Sequence, residues 1–139
     1  MQVKLSATPD FKFRAFAADG TVCHIGASKA VGGDESGFRP MQLLLTSIAS
    51  CSGIDAVNIL KKSRVDFSSL DIEIEGDRKD GIPSPFTAIR VKFILHGSQS
   101  ADQAKAEKAV SMAMEKYCSA TASLDPAIKV TAVTELKAA

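Results

Sequence analysis

Residues 40–62, PMQLLLTSIASCSGIDAVNILKK, constrain what this chain can fold into more than any other stretch. Pro40 presets a helical φ at a position where its missing N–H costs nothing. No proline follows within the segment, and apolar residues fall on nearly every face, so the pattern predicts a helix from Met41 to about Lys62 wrapped by protein on most sides. The run is long enough to span a bilayer. Gln42, Thr46, the serines, Asp55 and Asn58 make it a weak span, and a buried helix of a soluble protein is the expectation. So apolar a helix is hard to cover with 139 residues, and a second subunit would help to bury it.

The flanking segments alternate at period 2. VKLSA, FKFRAFA and TVCHIG read as strands, the last two joined by a turn at Asp19-Gly20. ASKAVGGDESGF, residues 27–38, has three glycines and no period, and is expected to be an exposed connection. SLDIEIEGDRK and FTAIRVKFILHG form a second strand pair around the turn-rich DGIPSP. ADQAKAEKAVSMAMEKY fits an amphipathic helix with Ala104, Ala109, Met112, Ala113 and Met114 on its buried face. A break near Cys118, a short helical piece to Leu124 and a strand AIKVTAVTEL complete an α+β order in which sheets must cover the apolar helix.

This length suits one domain over residues 1–139. With 17 basic and 16 acidic residues the net charge is +1, which lacks the field of a nucleic-acid binder and the basic face of a membrane-surface helix. Neither nucleic acid nor membrane is an expected partner. The start MQVKLSATPD lacks a signal peptide's apolar core, so a cytoplasmic protein with reduced thiols is expected.

The chemistry-bearing residues are the cysteines. Cys51 shares its helical face with Leu44, Ser47, Ile48, Ile54, Asp55 and Asn58, a mixed surface flanked by the small Ser50, Ser52 and Gly53. It reads either as a small core hydrophobe or as an approachable nucleophile. Cys118, after Glu115-Lys116-Tyr117, is either a packing residue at a junction or the residue that opens the next short helix. Cys23 and His24 adjoin in a strand and point to opposite faces. Together with Cys51, His96 and Cys118 they have none of the short spacings of structural zinc, so no metal site is expected. VGGDESG matches neither a dinucleotide loop nor a P-loop.

Pro40-Met41-Gln42-Leu43-Leu44-Leu45, Ala49-Ser50-Cys51, Arg78, Phe86-Thr87-Ala88-Ile89 and Glu115-Lys116-Tyr117-Cys118-Ser119 together resemble the OsmC/Ohr family of hydroperoxide reductases over nearly the whole chain. The resemblance implies an OsmC-like fold, an intertwined homodimer with long central apolar helices wrapped by antiparallel sheets and active sites at the subunit interface. It implies a thiol-dependent peroxidase in which Cys51 attacks an organic hydroperoxide and becomes a sulfenic acid. Cys118 then condenses with it to a disulfide that a dithiol reductant, of lipoyl type by resemblance, reopens. No metal, haem or flavin cofactor is implied.

Two positions depart from the family pattern. Met41 stands where well-characterised members carry the glutamate that holds an arginine over the reactive sulfur, and Ser119 stands where many have proline. Gln42 can accept a hydrogen bond but brings no charge. Arg14 and Arg39 are the candidate positive partners. Arg39 lies about 18 Å from Cys51 along a straight helix, so it would have to come from a second subunit. These departures leave two other readings: a non-catalytic OsmC-like protein binding a hydrophobic small molecule, and a redox sensor.

Overall fold

The computed structural model describes residues 1–139. Two compact units divide the chain, Met1–Leu44 and Leu45–Ala139.

In the first unit β1 (Lys4–Ala7), β2 (Lys12–Phe16) and β3 (Val22–Gly26) form an antiparallel sheet in sequence order. The turn between β2 and β3 falls at Asp19-Gly20, as expected. Gly20 takes φ +89°, and the Asp19 carboxylate accepts the Thr21 N–H at 2.9 Å. Residues 27–38 are more ordered than a bare connection. Lys29–Val31 make a 3₁₀ turn, and Phe38 returns to β3, where its N–H donates to the His24 carbonyl and its own carbonyl accepts from Gly26. The approach needs glycine at 37, which has φ +72° and leaves only 2.5 Å between a would-be Cβ and the His24 carbonyl oxygen. Within this loop the Ser36 hydroxyl, then its N–H, and then Lys12 hold the Asp34 carboxyl down to about 2. Gly26 is the only buried residue of this unit.

Helix α1 runs from Pro40 to Lys62. At its start the Gln42 Oε1 accepts the Arg39 N–H at 2.9 Å, half of a capping box. Its end is a Schellman turn: Arg64, at φ +57°, donates to the Lys61 carbonyl, and Val65 donates to that of Leu60. Lys61 and Lys62 place positive charge on that end of the dipole. Burial is less complete than the composition predicts. Ile48, Ser52, Gly53, Ala56 and Leu60 are buried, but only 33% of the most apolar window is covered.

The second sheet has the order β4-β5-β6, with β4 Ser69–Arg78, β5 Phe86–His96 and β6 Lys129–Lys137. β4 and β5 form the expected antiparallel hairpin. β6 corrects the expectation of antiparallel sheets, because it lies parallel to β5. The physical cause is the helical crossover between them, which returns the chain in the same direction. Phe93, Ile89, Leu95 and Val91 form the core with Ile48 and Leu60. Gly53 lets α1 approach β4 closely, since a Cβ there would sit 2.6 Å from the Ile72 Cδ1.

The single helix expected over 101–117 is divided. A 3₁₀ turn at Ser100–Asp102 leads into α2 (Gln103–Met112), and a π-helical turn at Ala113–Tyr117 follows. The buried face is Ala106, Ala109, Val110, Ala113 and Met114. Ala104 is exposed and Met112 half-buried, because the stripe is anchored on Ala106 and Ala104 lies across the helix from it. The short α3 (Ser119–Ala122) begins directly after Cys118.

Candidate active site

Cys51 lies on α1, half-buried. It borders the covered stripe of Ile48, Ser52, Ala56 and Leu60 on one side and the exposed Leu44, Ser47, Ile54 and Asn58 on the other. Ile54, less than one turn on, is 72% exposed, so the sulfur stands at the edge of a mixed surface, Leu44 and Ile54 with Ser47 and Asn58, that is exposed in the single chain.

Cys118 is buried and caps α3. The π-helical turn ends at Tyr117, and Cys118 then adopts extended backbone angles, which free its side chain to act as an N-cap. Its sulfur accepts the Thr121 hydroxyl at 3.0 Å and the Thr121 N–H at 3.4 Å. Its S–H points to the Ile48 carbonyl, 4.0 Å away. Ile48 precedes Cys51 by one turn of α1, so the folded chain brings the second sulfur onto the helix that carries the first. The same carbonyl accepts the buried Ser52 hydroxyl at 2.7 Å. The sequence expectation of two related cysteines omitted Thr121. Its signal was present as a hydroxyl residue three positions after a cap, where a first-turn N–H needs an acceptor.

The other candidates are engaged elsewhere. Gln42 holds the start of α1 through its bond to the Arg39 N–H. The Arg39 guanidinium donates to the Glu35 carbonyl at 2.7 Å. Arg14, paired with His24 across the first sheet, stacks over Phe16 at 5.7 Å and lines a cleft of about 770 Å³ that contains no cysteine. Both arginines belong to the first unit and both cysteines of interest to the second. Cys23, half-buried on β3, belongs to the first unit. One charge cluster, Arg90 with Glu75 and Asp77, is an exposed ladder on the second sheet. There the Arg90 hydrogen bond lowers the Asp77 carboxyl.

The model of the family described as OsmC-like protein matches residues 32–133, which include α1, both site cysteines and most of the second sheet. The chain is a member of the OsmC-like family. Among curated relatives of this OsmC-like chain, Protein YhfA of Escherichia coli (strain K12) is 37% identical over 100 residues, covering 72% of this chain and 74% of that protein. A hypothetical protein from Aquifex aeolicus VF5 superposes with a TM-score of 0.83 at 31% identity, over 99% of this chain and 96% of that one. The organic hydroperoxide resistance protein OhrB of Bacillus subtilis shares the fold with a TM-score of 0.62 at 22% identity, over 99% and 98%. The OsmC/Ohr membership and the α+β fold expected from the residues are thus established, and the family includes hydroperoxide-resistance proteins.

Proposed function

We propose that this OsmC-like chain is a thiol-dependent peroxidase that reduces organic hydroperoxides in a reduced, cytoplasmic setting, as one domain acting in a homodimer. Cys51 attacks the distal oxygen of the hydroperoxide, giving a Cys51 sulfenic acid and the alcohol. The Cys118 thiol displaces water from that sulfenic acid and forms a Cys51–Cys118 disulfide. A dithiol of lipoyl type then reduces the disulfide and is itself oxidised to a cyclic disulfide. In total the dithiol supplies two electrons and two protons, and the hydroperoxide becomes alcohol and water.

The observation that carries this reading is the 4.0 Å approach of the Cys118 sulfur to the Ile48 carbonyl, one turn before Cys51. The exposed Leu44 and Ile54 on the face of α1 that carries Cys51 support the dimer, because a second copy would cover them and form a water-poor cleft for an alkyl peroxide. The partner copy is also the source of a positive group for Cys51, with Arg14 and Arg39 as candidates. Gln42 serves that site indirectly, by fixing the start of α1.

The test is consumption of cumene hydroperoxide by purified protein with dihydrolipoamide. Consumption is expected to require Cys51, and equal rates in a Cys51→Ser variant would remove the peroxidase reading. Met41, in place of the family acid, favours a second reading in which the same exposed face, through Leu44 and Ile54, holds a hydrophobic ligand without turnover. Under it, the Cys51→Ser variant binds such a ligand as the unaltered protein does, and neither consumes peroxide.

A further inference from the structure

Cys118 does not choose its orientation alone. The Thr121 hydroxyl and N–H both meet its sulfur, at 3.0 and 3.4 Å, from the α3 side, and the Ile48 carbonyl receives its S–H from the α1 side. A thiol rotates readily about its Cα–Cβ bond, and a sulfur is a weak acceptor and donor. Three partners therefore select one rotamer among three, and that rotamer faces the turn of α1 that leads to Cys51. Thr121 is itself held, since its N–H lies in the first turn of α3 and its carbonyl accepts from Leu124.

We infer that Thr121 is the positioning residue for the resolving step: its hydroxyl keeps the Cys118 sulfur turned toward α1 and carries hydrogen-bonded charge when that sulfur acts as attacking or departing thiolate. This inference rests on the peroxidase reading for its role in turnover, while the geometry itself is independent of any peroxide. In the attacking direction the Cys118 thiolate displaces the leaving group from the Cys51 sulfur, and the proton it gave up leaves with that group. In the opposite direction the reductant thiolate forms a mixed disulfide with Cys51 and expels Cys118 as a thiolate, which accepts the Thr121 bonds and regains a proton.

The test separates ring closure from peroxide chemistry. Cys51 is converted to its mixed disulfide with glutathione in protein carrying Cys23→Ser, and closure by Cys118 with release of glutathione is followed by acid quench and mass spectrometry. Thr121→Val, which keeps the branched shape but loses the donor, is expected to close roughly tenfold more slowly, the equivalent of ~1.4 kcal/mol and of one hydrogen bond. Thr121→Ser, which keeps the donor, is expected to close within about twofold of the unaltered protein. Equal closure rates in the valine variant, an equal loss in valine and serine variants, or no closure in the parent each overturn the assignment. Thermal melting of the three proteins shows whether all are folded.

A parallel pulse of cumene hydroperoxide with dimedone trapping reports Cys51 sulfenic acid. Its formation rate should be unchanged by Thr121→Val. Absence of the adduct in all three proteins, with Thr121-dependent closure intact, would remove the peroxidase reading and leave the positioning role standing.

Discussion

The sulfur of Cys118 stands 4.0 Å from the carbonyl oxygen of Ile48, a residue 70 positions earlier in the chain. That carbonyl is already bonded to the Ser52 hydroxyl, so α1 presents one crowded backbone oxygen to the second thiol. Ile48 itself is fully buried and belongs to the core. The wall that the Cys118 sulfur faces is therefore the core of the second unit.

Ile48→Ala should couple stability to thiol exposure. Removing a buried isoleucine to alanine costs roughly 2–5 kcal/mol. We expect a lower denaturation midpoint together with faster alkylation of Cys118 by a bimane reagent. A variant that loses stability while Cys118 stays as protected as before would show that the sulfur does not depend on this wall.

Gln42 is predicted to matter for the helix before it matters for chemistry. Gln42→Ala removes the acceptor of the Arg39 N–H and should cost about 1 kcal/mol, whereas Gln42→Glu retains the capping oxygen and should cost less. Chemical denaturation of the two variants checks the order. Greater stability in the alanine variant than in the glutamate variant would contradict the capping role.

Ile54 tests the second copy. Burying an isoleucine side chain is worth about 1.5–3 kcal/mol. If a second copy covers it, Ile54→Asp should weaken self-association by roughly a hundredfold. Sedimentation velocity over a dilution series reads the change. A parent protein that is already monomeric at micromolar concentration would refute the dimer outright.

The Asp34 loop has a defined acid limit. Its carboxyl is held down to about 2 from an ordinary 3.8, chiefly by the Ser36 hydroxyl, then by the Ser36 N–H and Lys12. A depressed carboxyl contributes stability that is complete above its unfolded value and lost as pH falls through the folded one. The loop should hold its geometry above pH 3.8 and lose this contribution toward pH 2. The Ser36 amide resonance should titrate with that midpoint and remain flat in Asp34→Asn; a midpoint near 3.8 would show that these bonds are absent in solution.

Local signals made most elements legible. Pro40 announced α1, Asp19-Gly20 the β2–β3 hairpin, and period-2 alternation β4 and β5. The direction of β6 was not readable, because alternation is the same beside a parallel or an antiparallel neighbour. Ala104 was misplaced because an alanine-rich helix offers several apolar stripes, and packing against the sheet chooses among them. Phe38 returns to β3 through backbone bonds that no side-chain pattern records. At the site, both cysteines could be singled out from the residues, while the contact between Cys118 and α1 is long-range and emerged only with the fold. A positive group beside Cys51 was not legible in the sequence, since the candidates Arg14 and Arg39 are bound within the first unit.

The first sheet, with Gly26 as its single buried residue, also bears on the order in which the chain folds. Ordering a residue's backbone costs about 1–2 kcal/mol, and apolar burial is the main term that offsets it. Leu45–Ala139 has that term in Phe93, Ile48 and Leu60, whereas Met1–Leu44 has almost none. The carboxyl-terminal unit should therefore serve as the nucleus, and the amino-terminal ribbon should be the last segment to acquire protection. Pulse-labelled hydrogen exchange during refolding should find β5 amides guarded before those of β2. The reverse order would mean that the ribbon assembles without an interior.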